Sequence, residues 1–451
     1  MTAFSRTIDL PQPVHTAIAC LEQSGRTAWA VGGGVRDSLR GVIPHDWDLA
    51  TSALPDETCA ALAAYEVHPT GLKHGTVTAK IQGMALEITT YRTENGYTDG
   101  RHPDEVHFVR QIEDDLKRRD FTVNAMAYHP ERGLCDPFGG QDDLQHGCIR
   151  AVGDPDARFT EDALRILRGV RFAAKTGFSI EFATVCAMRR QLARLDGIAH
   201  ERVLEELTGI LTGRYVGRAL RRYPDLIAAV LPEIAPMFGL CQHNPHHRYD
   251  VWEHTVRAVE AIPADPVLRW VMLLHDSGKP HAYTIDADGV GHFKGHPHIS
   301  RDLAERALTR LRASVNLRET VCELVDLHDY PLGQEEKIVR RRLSRLGEAK
   351  VRRLLAIKKA DCTGQDTFSI HLAELQNTER LVNAVCAAGA CLSLHDLAVD
   401  GHVIQSLGFT GPEIGRVLRD LLAAVVDQTV PNPPDALCAL AARWKEKQHH
   451  V

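Results

Sequence analysis

Residues 31–51 read VGGGVRDSLRGVIPHDWDLAT, and this stretch decides how the first part of the chain folds. It predicts a strand that runs into a glycine turn and then a helix that begins near Val35. Glycine lets the backbone approach a ligand closely, and the free N–H groups of a helix start bind anions such as phosphate. Gly33 and Arg36 are therefore candidate phosphate-binding residues. An ordinary tight turn would explain the three glycines by themselves.

Two aspartates follow this turn, Asp46 and Asp48, with one residue between them. Residues i and i+2 of a strand share a face, so the two carboxylates are expected side by side. Mg²⁺ prefers such oxygen ligands together with substrate phosphates. A phosphate-binding turn beside paired carboxylates indicates metal-assisted nucleotidyl transfer. Glu87, in the strand-like stretch ALEITTY, is a candidate third carboxylate, and a solvent-facing glutamate is the equal alternative.

Composition limits the class of protein. A chain of 451 residues predicts two to four domains, and its net charge of −6 does not favour nucleic acid, although a local basic face is compatible with it. No apolar run reaches the roughly 18 residues that a membrane span needs. Eleven cysteines without a C-x-x-C pair, behind an N-terminus unlike a signal peptide, predict reduced thiols and a cytoplasmic location.

The glycine-Val-Arg-Asp stretch with its D-x-D resembles the nucleotidyltransferase head of class II tRNA CCA-adding enzymes and the related bacterial poly(A) polymerases. The resemblance implies a polymerase-β-like α/β head, Mg²⁺ at Asp46 and Asp48, CTP and ATP as substrates, and tRNA as partner. Residues 118–124, RRDFTVN, resemble the ribose-recognition motif of that family. Arg119 and Asp120 are therefore candidate contacts to ribose or phosphate.

Residues 161–172, EDALRILRGVRF, resemble the E-D-x-x-R segment with which the family selects the incoming base. Asp162 can accept from the amino group of C or A, and Arg165 can donate to their ring acceptors, whereas G and U present the reverse order. The i, i+3 spacing predicts that the two are neighbours on one helix. By resemblance, Arg168 and Arg171 contact the nucleotide phosphates. An amphipathic helix with an Asp–Arg ion pair is the alternative explanation.

The choice between CCA addition and poly(A) synthesis depends on two other stretches. Residues 91–108, YRTENGYTDGRHPDEVHF, are expected to form a mobile loop, which resembles the flexible loop of members that add the final A. The arginine-rich signature of the poly(A) polymerases is absent, and LAVDGHVIQSLGFTG resembles the tail of CCA-adding enzymes of Gram-positive type. CCA addition is favoured; a bacterial poly(A) polymerase or an A-adding-only enzyme remains the alternative.

The middle of the chain is rich in histidine. HNPHHRYDVWEH at 243–254 and LLHDSGKP at 273–280 resemble the HD phosphohydrolase superfamily. The resemblance implies a metal site formed by His254, His275, Asp276 and Asp361, with His296 and His328 at additional positions. Imidazole and carboxylate ligands suit Mn, Fe, Co, Ni or Zn. The predicted second activity is hydrolysis of phosphate esters or tRNA ends, and a retained helical domain without activity is the alternative.

The predicted organisation is an α/β head followed by all-α neck, HD and tail regions. Its boundaries are a head at 1–149, a neck with the nucleotide-selecting helix at 150–235, an HD domain at 236–370 and a tRNA-binding body or tail at 371–451. Residues 337–359 hold ten Lys/Arg and one Glu, a density that suits the tRNA phosphate backbone or a solvated surface. The sequence leaves the oligomeric state open.

Overall fold

A computed structural model of the chain describes residues 7–71, 75–95, 105–243, 248–364 and 368–449. The chain divides into two compact units: Met1–Ala235 with Arg310–Ala313, and Pro236–Thr309 with Ser314–Val451. The predicted fold class is confirmed, because strands are concentrated in the first part and the remainder is mostly helical. The finer boundaries of head, neck, HD and tail regions stay predictions.

Strands lie mainly in the first unit. Their bounds are β1 Ala28–Val31, β2 Asp48–Thr51, β3 Glu66–Gly71, β4 Thr76–Ile81, β5 Met84–Thr90, β6 Arg92–Asn95, β7 Glu105–Phe108, β8 Ala127–His129, β9 Gly133–Cys135, β10 Cys148–Ile149, β11 Ser179–Ile180, β12 Thr284–Ile285 and β13 Gly291–His292. Within the described residues, seven of them form one sheet in the order β3-β4-β5-β2-β1-β8-β9. Strands β2 and β5 pair in parallel and the other neighbours pair antiparallel.

Helices of the first unit pack against this sheet and continue beyond it. Their bounds are α1 Gln12–Gln23, α2 Gly33–Leu39, α3 Pro55–Ala61, α4 Ile112–Lys117, α5 Gly140–His146, α6 Pro155–Glu161, α7 Leu164–Thr176, α8 Phe182–Arg190, α9 His200–Leu211, α10 Val216–Arg222 and α11 Pro224–Ala228. One buried cluster joins β1, β2 and β8 to α4 through Val31, Ala50, Leu116 and Ala127. This core fixes the strand ends that carry the candidate site.

The rest of the chain is helical apart from β12 and β13. The bounds are α12 Val251–Ala261, α13 Pro266–Leu274, α14 Lys279–Ala282, α15 His296–Arg310, α16 Val315–Asp326, α17 Glu336–Leu346, α18 Glu348–Asp361, α19 Phe368–Ala387, α20 Gly401–Ser406, α21 Pro412–Val426 and α22 Pro434–His449. Asp250 and Asp265 cap the starts of α12 and α13 by accepting backbone N–H groups at 2.7 and 3.0 Å. These caps explain why both helices begin where they do.

The predicted mobile loop at 91–108 needs a correction. Its two flanks are strands, since β6 and β7 pair antiparallel from Arg92 opposite Phe108 to Asn95 opposite Glu105. The polar, glycine-containing composition of the whole stretch indicated a loop and hid this pairing. Residues 96–104, the centre of the predicted loop, lie outside the described residues.

Two features of the structure are relevant to the cellular location of the protein. No helix among the described residues is long and apolar enough to cross a bilayer. All eleven cysteines are free thiols in the structure. A cytoplasmic location stays a prediction.

Candidate active site and metal centre

The glycine turn lies between β1 and α2. Gly32 has φ +69°, which favours glycine, and α2 begins at Gly33, two residues earlier than predicted. A Cβ on Gly34 would lie 2.7 Å from the Trp47 ring, so the helix start packs directly on that side chain. A Cβ on Gly32 would lie 3.1 Å from Nη1 of Arg119. The turn therefore holds the predicted phosphate- or ribose-contacting arginine close to its backbone.

The three candidate carboxylates meet at the start of β2. Asp48 is the first residue of β2, whereas Asp46 lies two residues before the strand, so the prediction of a strand through both is not met. Both aspartates are nevertheless exposed and Trp47 between them is buried. Glu87 is the register partner of Asp48 on the neighbouring parallel strand β5. Partial desolvation of the Asp48 carboxyl group by the surrounding head residues, together with Glu87 and Asp46, raises its pKa, while Arg119 opposes the rise. Carboxylates that disfavour each other's charge in this way are suited to a divalent cation.

Arg36 is already engaged by the protein. Its guanidinium donates to both carboxylate oxygens of Asp37 at 2.9 Å and to Oδ1 of Asn124 at 2.7 Å, and it lies 5.3 Å from the centre of the Phe172 ring. Sequence reasoning did not identify Asp37 or Asn124, although both stand inside the motifs that were singled out. Their contacts fix the direction of the Arg36 side chain.

Two more predicted arginines surround the same aromatic ring. Arg168 pairs with Asp120 at 2.8 Å and Arg171 pairs with Glu206 at 3.0 Å, and both guanidiniums lie within 6 Å of the Phe172 centroid. Burial opposes ionisation of Asp120, but Arg168 outweighs it and lowers the pKa of Asp120 to about 2. Asp120 therefore orients Arg168 in this arrangement, in addition to its predicted role at the ribose.

Replacing Asp120 with Asn is expected to lower the free energy of unfolding by about 2 kcal/mol at neutral pH, because Arg168 loses its buried counter-ion. The folded-state pKa lies below the ordinary value of 3.8, so ionised Asp120 stabilises the fold above that value. This stabilisation is lost as the pH falls through about 2. Urea unfolding of both proteins should give a difference that shrinks below about pH 5.

The matched control for this comparison is Asp156→Asn, which removes an exposed ion pair with Arg190. Its unfolding midpoint should stay near that of the parent chain, because exposed pairs contribute little. A difference between parent and Asp120→Asn that did not change with pH would contradict the assignment to the Asp120 charge.

The prediction that Asp162 and Arg165 are neighbours on one helix is wrong. Helix α6 ends at Glu161, Asp162 is extended, and α7 begins at Leu164. The Asp162 carboxylate accepts the Leu164 N–H at 2.9 Å, a local contact that competes with continuous helix. Arg165 donates to Glu161 at 2.7 Å, and the guanidinium that approaches Asp162 is that of Arg202, at 3.4 Å. The roles of Asp162 and Arg165 in base selection stay predictions.

The histidine-rich residues form a compact cluster in the second unit. One ligand atom from each of His254, His275, Asp276 and Asp361 lies within 4.8 Å of the others. Oδ1 of Asp361 is 2.8 Å from Nε2 of His254 and 3.2 Å from Nε2 of His275. Three of these residues are buried, and Asp361 is partly buried at the end of α18. The structure therefore brings together the four residues that the sequence proposed from distant positions.

A second group shares Asp276 and adds His296 and His328. Nδ1 of His275, His296 and His328 faces a backbone carbonyl three residues earlier, at 2.8, 2.9 and 2.6 Å. A carbonyl only accepts, so Nδ1 of each ring carries a proton and Nε2 is the nitrogen turned to the cluster. Loss of any proton on Nε2 would free its lone pair for a metal ion. Nε2 of His296 and Nε2 of His328 are 3.2 Å apart, a contact between two acceptors that a bound cation would relieve.

The charges of the cluster also suit a cation. Burial lowers the pKa of His275, but Asp276 and Asp361 outweigh it and raise the pKa to about 10. Burial raises the pKa of Asp276, but His275 and Lys279 outweigh it and hold that pKa well below its ordinary value. His254 and His275 likewise outweigh burial and hold the pKa of Asp361 well below its ordinary value. The carboxylates of Asp276 and Asp361 are thus ionised and attract either a proton or a metal ion. Sequence reasoning did not identify Lys279, whose Nζ lies 2.7 Å from the Asp276 carboxylate. Its position three residues after Asp276 could have indicated this contact, because residues at that spacing are neighbours on a helix.

Comparison with known proteins gives matches along the whole chain. Residues 28–150 match the family "Poly A polymerase head domain", residues 177–238 match "Probable RNA and SrmB- binding site of polymerase A", and residues 296–441 match a family for the second domain of tRNA nucleotidyltransferases. A CCA-adding enzyme of Leuconostoc mesenteroides is 46% identical over 443 residues, with 97% of each chain covered. One from Levilactobacillus brevis is 32% identical over 435 residues, with 96% of each chain covered.

A solved structure adds the same similarity in three dimensions. The crystal structure of the Bacillus stearothermophilus CCA-adding enzyme in complex with CTP superposes with a TM-score of 0.75 at 27% identity, covering 98% of this chain and all of that one. The Thermotoga maritima CCA-adding enzyme complexed with tRNA has a TM-score of 0.56 at 20% identity, which supports the fold alone.

Proposed function

The chain belongs to the family of CCA-adding enzymes, and we propose that the site at the glycine turn adds C, C and A in succession to the 3′ end of tRNA. The observation that carries this proposal is the meeting of Asp48, Glu87 and Arg119 beside that turn. The substrates are CTP and ATP, and the partner is tRNA. The tRNA 3′-hydroxyl oxygen bonds to the α-phosphorus, the bond from that phosphorus to pyrophosphate breaks, and the hydroxyl proton is released.

Asp46 and Asp48, with Glu87 as the third carboxylate, would hold Mg²⁺ in this reaction. Mg²⁺ at such a site supplies activation of the attacking hydroxyl and neutralisation of the leaving phosphates. Arg119 lies against the backbone of Gly32, where its guanidinium can donate to a phosphate oxygen or a ribose hydroxyl. The residues of the turn thus bind the triphosphate, and the carboxylates lie beside it on β2 and β5.

Base choice is assigned to Asp162 and Arg165. Asp162 lies at the break between α6 and α7, where its carboxylate is oriented by the backbone of Leu164 and by Arg202. Arg165 donates to Glu161 and to two backbone carbonyl oxygens through Nη1 and Nη2. These contacts do not use Nε–H or the second Nη2–H, which are the donors assigned to the base. Arg168 and Arg171, held at the Phe172 ring, are assigned to the nucleotide phosphates.

A basic surface on α10 suits the phosphates of the tRNA. Arg218 donates to the Gly177 carbonyl at 2.6 Å, and Arg222 donates to the Ser179 hydroxyl at 2.7 Å. Both acceptors are neutral, and within the described chain no carboxylate pairs with either arginine. Tyr215, 39% exposed, lies at the start of the same helix. Uncompensated cations beside an exposed aromatic ring are typical of surfaces that bind RNA strands.

The basic run at 337–359 contributes less free charge than its sequence predicts. Arg341 pairs with Asp427 at 2.6 Å, and Lys359 pairs with Glu379 at 2.7 Å. The carboxylates that compensate these cations come from other parts of the fold and are not visible in the sequence of the run. Its contact with tRNA, and that of the tail at 371–451, stay predictions.

Incorporation on a tRNA transcript that lacks its 3′ CCA tests the proposed function. With each labelled nucleotide, Mg²⁺ and products resolved to single-nucleotide length, we expect C, C and A to be added and synthesis then to stop. A single A added only to tRNA ending in CC would mean an A-adding specialist. A long run of A would mean a poly(A) polymerase and would contradict the proposal.

The His–Asp cluster favours a second function, hydrolysis of a phosphate ester. His254, His275, Asp276 and Asp361 would hold a divalent transition metal, and His296 and His328 with Asp276 would hold a second ion. Such metals supply an activated water and neutralise phosphate charge. A cavity of about 510 Å³ opens beside Asp276, His296 and His328, and Lys279 and Lys294 also line it. This room and these lysines suit a phosphate group. The HD identity of the domain stays a prediction.

A further inference from the structure

The indole ring of Trp47 connects the candidate metal ligands to the glycine turn. Trp47 separates Asp46 from Asp48 in the chain, and it is only 3% exposed although both neighbouring carboxylates are exposed. Three carbons of its six-membered ring, Cε3, Cδ2 and Cζ3, lie 2.7, 3.0 and 3.2 Å from the place that a Cβ on Gly34 would occupy. The ring therefore packs against the backbone of α2, one residue after that helix begins.

The backbone of Gly34 does not itself require glycine. Gly34 is helical and its φ is not positive, and alanine is the better helix former at such a position. A Cβ at 2.7 Å from a ring carbon is closer than real side chains approach, so alanine would force either the ring or α2 to move. Glycine at position 34 and tryptophan at position 47 are therefore matched in size.

The turn and the Asp48 carboxylate are already close to each other. Val31, the last residue of β1, pairs with Asp48, the first residue of β2, so the ladder between the two strands ends where the turn begins. A Cβ on Gly32 would lie only 3.8 Å from Oδ2 of Asp48. A shift of the turn by about 1 Å would change the distance between a bound phosphate and the metal ligands, and shifts of that size can slow a reaction about 100-fold.

We propose that Trp47 is a positioning residue for nucleotidyl transfer. Packed on Gly34, its ring sets the distance between the turn that binds the triphosphate and the carboxylates of Asp46 and Asp48 that would hold Mg²⁺. Because the ring is buried, it acts through the position of these groups and not by contact with the substrates. This role rests on the nucleotidyl transfer proposed above.

A double-mutant cycle of Gly34→Ala and Trp47→Leu tests the proposal. Alanine overfills the contact, and leucine, which lacks the six-membered ring, underfills it. Single-turnover C addition to tRNA at saturating CTP and Mg²⁺ should slow by about 10- to 100-fold in each single variant. In the double variant the alanine methyl group occupies part of the space that the ring leaves, so the rate should return to within about threefold of the parent rate.

Two further measurements separate positioning from a general loss of structure. In titration calorimetry without tRNA, the affinity for CTP in EDTA should change less than about twofold across the cycle, because the carboxylates then take no part. The affinity for CTP with Mg²⁺ should fall in each single variant and recover in the double variant. Urea unfolding should show all the proteins folded under the assay conditions. Gly197→Ala, at an exposed position where a Cβ meets open space, is the control and should behave as the parent does.

Parent-like rates in both single variants would contradict the positioning role. A double variant slowed by the product of the two single effects would also contradict it, because Gly34 and Trp47 would then act independently. Equal losses of CTP affinity with and without Mg²⁺ would mean that Trp47 supports nucleotide binding alone, which overturns the proposal. If the parent chain adds no C, the proposed function fails, and CTP affinity with Mg²⁺ decides the positioning role separately: recovery in the double variant supports it and additive losses overturn it.

Discussion

Asp48→Asn should reduce the rate of C addition to tRNA by about 10³-fold or more, because the change removes charge from the residue that faces both Glu87 and Asp46. Asparagine keeps the size of the side chain, and Asp48 is exposed at the start of β2, so the fold should be unaffected. Single-turnover incorporation with CTP and saturating tRNA measures the chemical step. Affinity for tRNA, measured by filter binding, should change little.

The matched control is Asp56→Asn, an exposed carboxylate in the first turn of α3. It should add nucleotides at the rate of the parent chain. If Asp48→Asn also kept that rate, Asp48 would not be a metal ligand and the proposed reaction at this site would be wrong. If both variants lost activity equally, a general charge effect on the head would replace the specific role.

His275→Ala should abolish binding of transition metal at the His–Asp cluster, with an affinity at least about 100-fold lower, and should leave CCA addition unchanged. His275 is fully buried, and its Nε2 lies 3.3 Å from Asp276 and 3.2 Å from Asp361. Its replacement therefore removes one nitrogen ligand from the metal site and leaves the two carboxylates. Metal content after dialysis against Mn²⁺ or Ni²⁺, and phosphate release from nucleotide monoesters, give the two readouts.

The isosteric Asp361→Asn guards against simple unfolding, and its metal content should fall in the same way because it removes a carboxylate from the same group. His402→Ala, an exposed histidine on α20, should bind metal as the parent does. Retention of full metal content by both His275→Ala and Asp361→Asn would exclude the cluster as the metal site. Loss of CCA addition in either variant would instead show that the cluster serves the nucleotidyltransferase reaction.

Local residue order was sufficient for much of the head. The turn from β1 into α2 and the shared side of Asp46 and Asp48 follow from short-range chemistry, since glycine, alternation and spacing act over a few residues. The helix predicted across Asp162 failed for an equally local reason. The side chain of Asp162 accepts a nearby backbone N–H and ends one helix before the next begins.

Sequence by itself determined the kinds of group available: carboxylates beside a glycine turn, arginines after them, and histidines with aspartates further along. Only the tertiary structure decided which of them meet. The parallel pairing of β2 with β5 placed Glu87 opposite Asp48, and the packing of α18 brought Asp361 to His254, 107 residues away. It also gave Arg168 and Arg171 their carboxylate partners, Asp120 and Glu206. Partner choice depends on distances between separate elements, which hydrophobic packing fixes and residue order does not contain.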